Sequence, residues 1–573
     1  MIVLGVVAGN SGRGRVLRDG ASALLINGRL EYGIAEERVT RQKHAGGWLH
    51  SSLYCLSAAG LKPGEVDVVG VSTCCDALSE MSPDEQLLRQ QFPRARIIRV
   101  PHHLSHAVYA FQASKFDSSI IVVSDAGGNI IGPSSELWWE SPREQTTYFL
   151  ATKKEIRIIG RDFQEPLQAG FGEVFRAVTH YLGWTSSVHA SKTMALSALG
   201  EAQALGLTPP FVYDRASRTI RPGVHNNPPE PIKMISEFCN GRLLQCVRAR
   251  AMSGEFRPEH AHLAAWLQDS YERSLSSRLE DLIKNTGITN ACMSGGVAYN
   301  CQANSRILVN THLKSIFIPP APGDTGQAIG NAIWAHGKTS SAPLDRDSIG
   351  NPFLGKAPSL NLRALLNNLS GVELLQCDDQ LESLVARSLH EGLVLGIARG
   401  RSEFGARALG NRSILADPRI KGNSDKLNRR KGREPFMPFA ATCLSSKIGS
   451  YFQESIESPY MQLVSHLRPE LSMKLEAIKH ADGSTRLHSI SDTQEGSWLA
   501  RVLKEFEHLS GVALLLNTSF NGPGQPIVES LQDAVDTLNE GLVDAIVFQN
   551  SIVGSAEAVN KIKCFDQMAI SNS

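Results

Sequence analysis

Apolar runs cut by turn residues open the chain. Residues 2–8 form an apolar run that stops at Gly9, and the runs Ala21–Ile26 and Arg29–Ala35 flank Asn27-Gly28, a pair suited to a two-residue hairpin turn. Residues 67–72, 96–100 and 119–124 are further short runs rich in Val and Ile, which predict strands. Residues 51–59, 264–285 and 381–391 instead repeat their apolar positions with helical spacing, and 394–398 returns to a strand pattern. Strands and helices so interleaved predict a mixed α/β chain. Segment 338–354 contains Thr339-Ser-Ser-Ala-Pro343 and Gly350-Asn-Pro352 and reads as a linker, dividing the chain near 340–375.

A chain of 573 residues is too long for one core, so at least two domains are expected. Lys plus Arg number 58 against 57 Asp plus Glu, a balance that argues against a broad nucleic-acid footprint but leaves room for a local basic pocket. The ten cysteines show no CxxC pair, so neither a zinc site nor a disulfide framework is signalled. The apolar start is short and lacks a basic flank, and no run of about eighteen apolar residues follows. A cytoplasmic protein without a membrane span is expected.

The strongest chemical signal is Gly400–Arg419, where Arg401, Arg407, Arg412 and Arg419 are interleaved with glycines and apolar residues. Guanidinium forks and close backbone N–H groups suit a phosphate, so this segment predicts an anion site. Lys431 and Arg433, then Arg486, Asn517 and Ser519, add cations, an amide and a hydroxyl that could clamp a small anionic substrate. In the N-terminal half His102 and His106 stand four apart at a helix start, so both rings face one side. Asp125 and Asp324, at a strand end and in a glycine-bounded turn, are the obvious oxygen donors to complete a metal site. A pair of capped, structural histidines is the alternative reading. Gly127-Gly128 and Gly295-Gly296, with Asn300, Asn304 and Lys192, offer close backbone approach and polar side chains to a nucleotide.

Together these segments resemble the O-carbamoyltransferases of antibiotic and nodulation-factor tailoring, such as the nebramycin and novobiocin carbamoyltransferases. The likeness is carried by 21–43 with its Ala35-Glu-Glu-Arg38, by 102–106, 191–200, 294–304, 400–419, 433–440 and 517–528. It implies an N-terminal, duplicated Kae1-like domain of the actin/Hsp70 class over 1–345, a linker over 346–375 and a YrdC-like domain over 376–573. It further implies that carbamoyl phosphate and Mg-ATP yield carbamoyl-adenylate in the second domain, contacting Arg407, Arg412, Lys431, Arg433, Arg486, Asn517 and Ser519. The first domain would then move the carbamoyl group to a hydroxyl of a small natural product, with Fe(II) or another divalent metal on His102, His106, Asp125 and Asp324.

One departure bears on catalysis. Many relatives have His before the Asp of this N-terminal motif, whereas this chain has Arg18 before Asp19. The role of base for the acceptor hydroxyl is therefore open, with His44 and His103 as candidates and Arg18 a contact to acceptor or phosphate. A hydrogenase-maturation type of carbamoyl-transfer protein, or a nucleotide-binding protein of the same fold without transferase activity, are the alternatives. The acceptor is not named by the sequence, and a homodimer is left open.

Overall fold

The computed structural model describes residues 1–571 apart from 134, 136–139, 223–241, 252–253, 359–370, 378–379 and 492–496. Two compact units emerge, one of Met1–Thr40 and His44–Pro352, the other of Arg41–Lys43 and Phe353–Ser573. No helix among the described residues is long and apolar enough to cross a membrane.

The first unit repeats one motif. Strands β1 (Ile2–Val7), β2 (Ala21–Ile26), β3 (Arg29–Ala35), β4 (Val68–Ser72) and β5 (Arg96–Arg99) form a sheet in the order β3-β2-β1-β4-β5. The hairpin β1-β2-β3 is antiparallel, and β4 and β5 join in parallel. The turn between β2 and β3 has positive φ at both Asn27 and Gly28, as such a hairpin requires. Next come β6 (Ser118–Ser124), β7 (Thr146–Thr152) and β8 (Ile156–Asp162), then a two-stranded ribbon, β9 (Phe211–Asp214) with β10 (Thr219–Pro222). Strands β11 (Asn290–Ser294) and β12 (Ser315–Phe317) complete a second sheet, ordered β12-β11-β6-β7-β8. Here too an antiparallel meander, β6-β7-β8, is extended by two parallel strands. Read from β8, this order matches that of the first sheet strand for strand, so the expected duplication is present.

Two helices link the halves. His102–Ser114 packs on β6 and β11, Gln327–Thr339 on β1, β2 and β4, and the two helices pack on each other. Their approach depends on small residues: a Cβ at Gly330 would lie 2.0 Å from the Ser105 carbonyl oxygen, and one at Gly5 would lie 1.8 Å from that of Ala328. The helix Gln327–Thr339 has a defined direction on the first sheet. Its His336 meets Gly28 at the far end of β2, and Ala328 meets Gly5, the partner of Ala23. Asp324, just before this helix, therefore lies toward the edge where β2 begins.

The second unit is built on one nine-stranded sheet. Its strands are β13 (Val372–Gln376), β14 (Leu395–Ala398), β15 (Arg412–Ala416), β16 (Ala440–Leu444), β17 (Leu463–His466), β18 (Ser484–Ile490), β19 (Leu514–Ser519), β20 (Ala545–Phe548) and β21 (Ser551–Ser555). They run in the order β13-β21-β20-β14-β15-β19-β16-β18-β17. Helices Leu381–His390 and Trp498–Ser510 bury apolar faces in one core with Leu395, Leu415, Leu515 and Val547, while Ile414, Ala441, Leu516 and Ile546 belong to a second core. Strands β14 and β20 are accordingly apolar on both faces.

The expected linker is partly regular. Arg346–Ile349 is a short helix capped by Asp345, Val372–Gln376 is β13, and 359–370 lies outside the described residues. β13 pairs with β21, some 180 residues later, a partner that local composition cannot reveal.

Gly5→Ala is expected to destabilise the first unit by about 1–3 kcal/mol, because backbone rather than a yielding side chain blocks the added methyl. Denaturant unfolding followed by circular dichroism checks this; an unchanged midpoint would mean that the helix can shift away.

Candidate functional site

In the first unit the helix start, the end of β6 and the turn before Gln327 bring four side chains together. Ligand atoms of His102, His106, Asp125 and Asp324 all lie within 4.8 Å of one another. His106 Nε2 is 3.4 Å from Asp324 and 3.6 Å from Asp125, and His102 Nε2 is 3.5 Å from Asp324. These separations are long for hydrogen bonds but close to the spacing of about 3.3 Å between ligands around a tetrahedral ion with bonds of about 2 Å. Neighbours hold the ligands in place: Ser294 Oγ lies 3.3 Å from His106 Nδ1, Gln327 Nε2 donates to Asp324 at 2.8 Å, and Gly296 N–H donates to Asp125 at 3.0 Å. Burial and the charge of Asp324 raise the Asp125 carboxyl, while burial of Asp324 is outweighed by His106 and His102, which lower it. Two imidazoles and two carboxylates fit a borderline divalent metal ion such as Fe(II), Mn(II) or Zn(II).

In the second unit, cations gather near β16 and β18. Arg407, Arg433 and Arg486 are each half-buried. Burial first, then the like charge of Arg486, pushes Arg433 down to about 10; Glu434 opposes this and Arg407 adds to it. Arg433 lies over the Phe439 ring at 4.8 Å and donates to the Pro438 carbonyl. Arg486 Nε is buried without a hydrogen-bond partner among the described residues. Converging guanidinium groups of this kind ask for a polyvalent anion.

Family models of the carbamoyltransferase N-terminus and C-terminus match residues 78–333 and 386–554. Nodulation protein NolNO of Sinorhizobium fredii is 30% identical over 94% of this chain and 79% of its own length. The chain belongs to the carbamoyltransferase family. Nodulation protein NolO of Bradyrhizobium diazoefficiens is 31% identical over 78% of this chain and 77% of its own. Full-length HypF, solved in a phosphate- and nucleotide-bound form, overlaps 60% of this chain and 56% of its own at a TM-score of 0.35 and 13% identity, too distant to carry functional weight.

The structure sorts the remaining candidates of this carbamoyltransferase. Arg412 is a correction: fully buried, it donates to the carbonyls of Arg399, Gly400, Asn411 and Glu529, so its fork braces β15 and is not open to a ligand. Arg401 likewise donates to Leu354 and Gly355 carbonyls, and Arg419 pairs with Asp417. The predicted anion segment thus contributes Arg407, while its other arginines hold the loop. Lys431 is also turned inward, its Nζ donating to the Ser519 and Asn521 carbonyls, and burial holds its pKa well below the usual range. It positions the Ser519 turn.

Asn300 and Asn304 are corrections too. Asn300 caps the helix Cys301–Asn310 and exchanges hydrogen bonds with Gln268, and buried Asn304 donates to the Ala298 carbonyl. Gly295, at φ 88°, leaves no room for a Cβ against Ser124, so the paired glycines bring β11 onto β6 and Gly296 onto Asp125. Gly128 packs on Glu144 and His103, whereas Gly127 stays half-buried beside Asp125. Lys192 lies 5.8 Å from the Trp184 ring centre.

At the edge where β2 begins, Asp19 Oδ1 and His44 Nδ1 are 2.7 Å apart. Both residues have positive φ, an unusual backbone state for side chains other than glycine. Arg18 is exposed, with NH1 3.5 Å from Ser186 Oγ. His103 is fully buried with Nδ1 on Thr147 Oγ1, and burial drives its pKa well down. Sequence reasoning did not single out Gln327, Thr442 or His488. Gln327, three residues past Asp324, was in reach of helical spacing, whereas the other two needed strand register.

Asp324→Asn is expected to lower the bound divalent metal of the purified protein at least about tenfold, with unfolding nearly unchanged. Elemental analysis beside denaturation checks this. Arg412→Met should do the reverse, destabilising the second unit by about 3 kcal/mol or more because several carbonyls lose their donor.

Proposed function

We propose that the protein makes and then uses carbamoyl-adenylate, with 376–573 as the YrdC-like adenylating domain and 1–345 as the Kae1-like transfer domain. The observation that carries this reading is the convergence of Arg407, Arg433 and Arg486, which suits the phosphate groups of carbamoyl phosphate and ATP. Atom balance sets the first step: carbamoyl phosphate, ATP and one water become carbamoyl-adenylate, phosphate and pyrophosphate. Arg433 and Arg486 hold the phosphate, and Asn517 and Ser519 meet the neutral end. Lys431 keeps the Ser519 turn in place.

In the transfer domain a hydroxyl oxygen of a small, hydroxylated natural product attacks the carbamoyl carbon. The C–O bond to AMP breaks, and AMP leaves with the electron pair. A divalent metal held by His102, His106, Asp125 and Asp324 would supply Lewis-acid stabilisation of developing negative charge. Asp19 orients His44 through Nδ1, which leaves Nε2 to take the hydroxyl proton. His103 is enclosed and tied to Thr147, so His44 is the better placed of the two candidates. Gly127 lines the backbone beside Asp125 on the adenylate side.

Incubation with carbamoyl phosphate, Mg-ATP and Fe(II), followed by mass spectrometry, is expected to show carbamoyl-adenylate and one pyrophosphate per adenylate. Arg486→Gln should reduce its formation at least about a hundredfold. Nucleotide binding without pyrophosphate release would contradict the reading. With an acceptor found by screening hydroxylated metabolites, His44→Gln should lower kcat for transfer about 10²–10⁴-fold and leave adenylate accumulating.

A further inference from the structure

Strand register places four polar residues of the second unit, together with Ala440, on one face of the sheet. Ala440 of β16 is paired with Arg486 of β18 on one side and with Asn517 of β19 on the other. Two residues along, Thr442 is paired with His488. Arg486 and Asn517 thus flank Ala440 at two strand spacings, roughly 9–10 Å between their backbones, and the Ala440 methyl packs with Leu409 and Met461. That separation is within reach of one molecule the size of carbamoyl phosphate, its phosphate toward Arg486 and its amide toward Asn517.

The amide of Asn517 is not free to turn. Its Nδ2 donates to Thr442 Oγ1 at 2.9 Å, and Thr442 Oγ1 is 3.0 Å from His488 Nδ1. All three residues are buried. A hydroxyl has one hydrogen to give. If that hydrogen goes to His488 Nδ1, the Thr442 oxygen is left to accept, and only the NH₂ end of Asn517 can face it. Asn517 Oδ1 then points away, buried and without a hydrogen-bond partner among the described residues. A bare carbonyl oxygen in a dry site calls for an N–H donor.

We infer that His488 and Thr442 are positioning residues that fix Asn517 so that the site accepts a carbamoyl group and rejects an acetyl group. The carbamoyl end offers two N–H donors, whereas acetyl phosphate offers a methyl at the same place and leaves Oδ1 unsatisfied. Burial keeps His488 neutral, its pKa held down to about 3, so the relay does not reverse by protonation at ordinary pH. The opposite tautomer, with hydrogen on Nδ1, would turn the chain of donors around. Thr442 would then donate to Asn517, and the amide would show its NH₂ to the ligand. This inference rests on the proposed use of carbamoyl phosphate in the second unit.

The test is calorimetric titration of the full chain with carbamoyl phosphate and, separately, acetyl phosphate. The wild type is expected to bind carbamoyl phosphate at least about tenfold more tightly. Thr442→Val should bring that ratio close to one by weakening carbamoyl phosphate alone, while Thr442→Ser, which keeps the hydroxyl, should preserve it. Nitrogen-15 NMR of the wild type should show His488 Nδ1 without a hydrogen. Equal wild-type affinities, a ratio unmoved in Thr442→Val, or hydrogen on Nδ1 would each overturn the inference. Selective binding without carbamoyl-adenylate formation would leave the relay standing and remove the adenylation reading instead.

Discussion

Like charges buried side by side are tolerated when a counter-ion returns the energy lost by leaving water, and this chain builds that situation twice with opposite signs. In the first unit Asp125 and Asp324 share a small space with two imidazoles, and the Asp125 carboxyl is raised by the charge of Asp324. In the second, Arg433 is pressed by Arg486 and Arg407. The first group suits a cation and the second an anion. The proposed carbamoyl transfer by way of an adenylate would use both, since a phosphate-rich substrate must be gripped and a leaving phosphate stabilised.

The scaffold explains how such groups are held. The group of two histidines and two aspartates needs three chain segments to meet, and small residues permit it: Gly295 lets β11 close on Ser124, and Gly330 lets one central helix approach the other. Gln327 and Ser294 then fix donor atoms that would otherwise rotate. In the second unit the same service comes from strand register, which sets Arg486, Ala440 and Asn517 in one row. Arg412 and Lys431 brace the loops around that row from within.

Much of the fold was legible in local pattern. The hairpin at Asn27-Gly28, the strands flanking it and the helix begun by His102 follow from periodicity and turn chemistry. The histidine pair with its two aspartates was also legible, because helix spacing and glycine-bounded turns mark such side chains. The arginine-rich segment misled in part. Its residue types are those of an anion site, but Arg401, Arg412 and Arg419 serve main-chain carbonyls and Asp417. An arginine that satisfies buried carbonyls has the same sequence signature as one that grips phosphate. Asn300 and Asn304 failed for a related reason, since helix caps and ligand contacts draw on the same amides. Strand β13 and the Thr442–His488 pair depend on long-range pairing, which no local window contains.

The account's central claim, one cation group and one anion group in separate units, is tested most directly by hydrogen exchange of the full chain read by mass spectrometry. Adding Fe(II) or Mn(II) should slow exchange in His102–Ser114 and around Asp324, and carbamoyl phosphate should slow it in β16, β18 and β19. Protection by carbamoyl phosphate confined to the first unit, or a divalent metal acting only on the second, would contradict it.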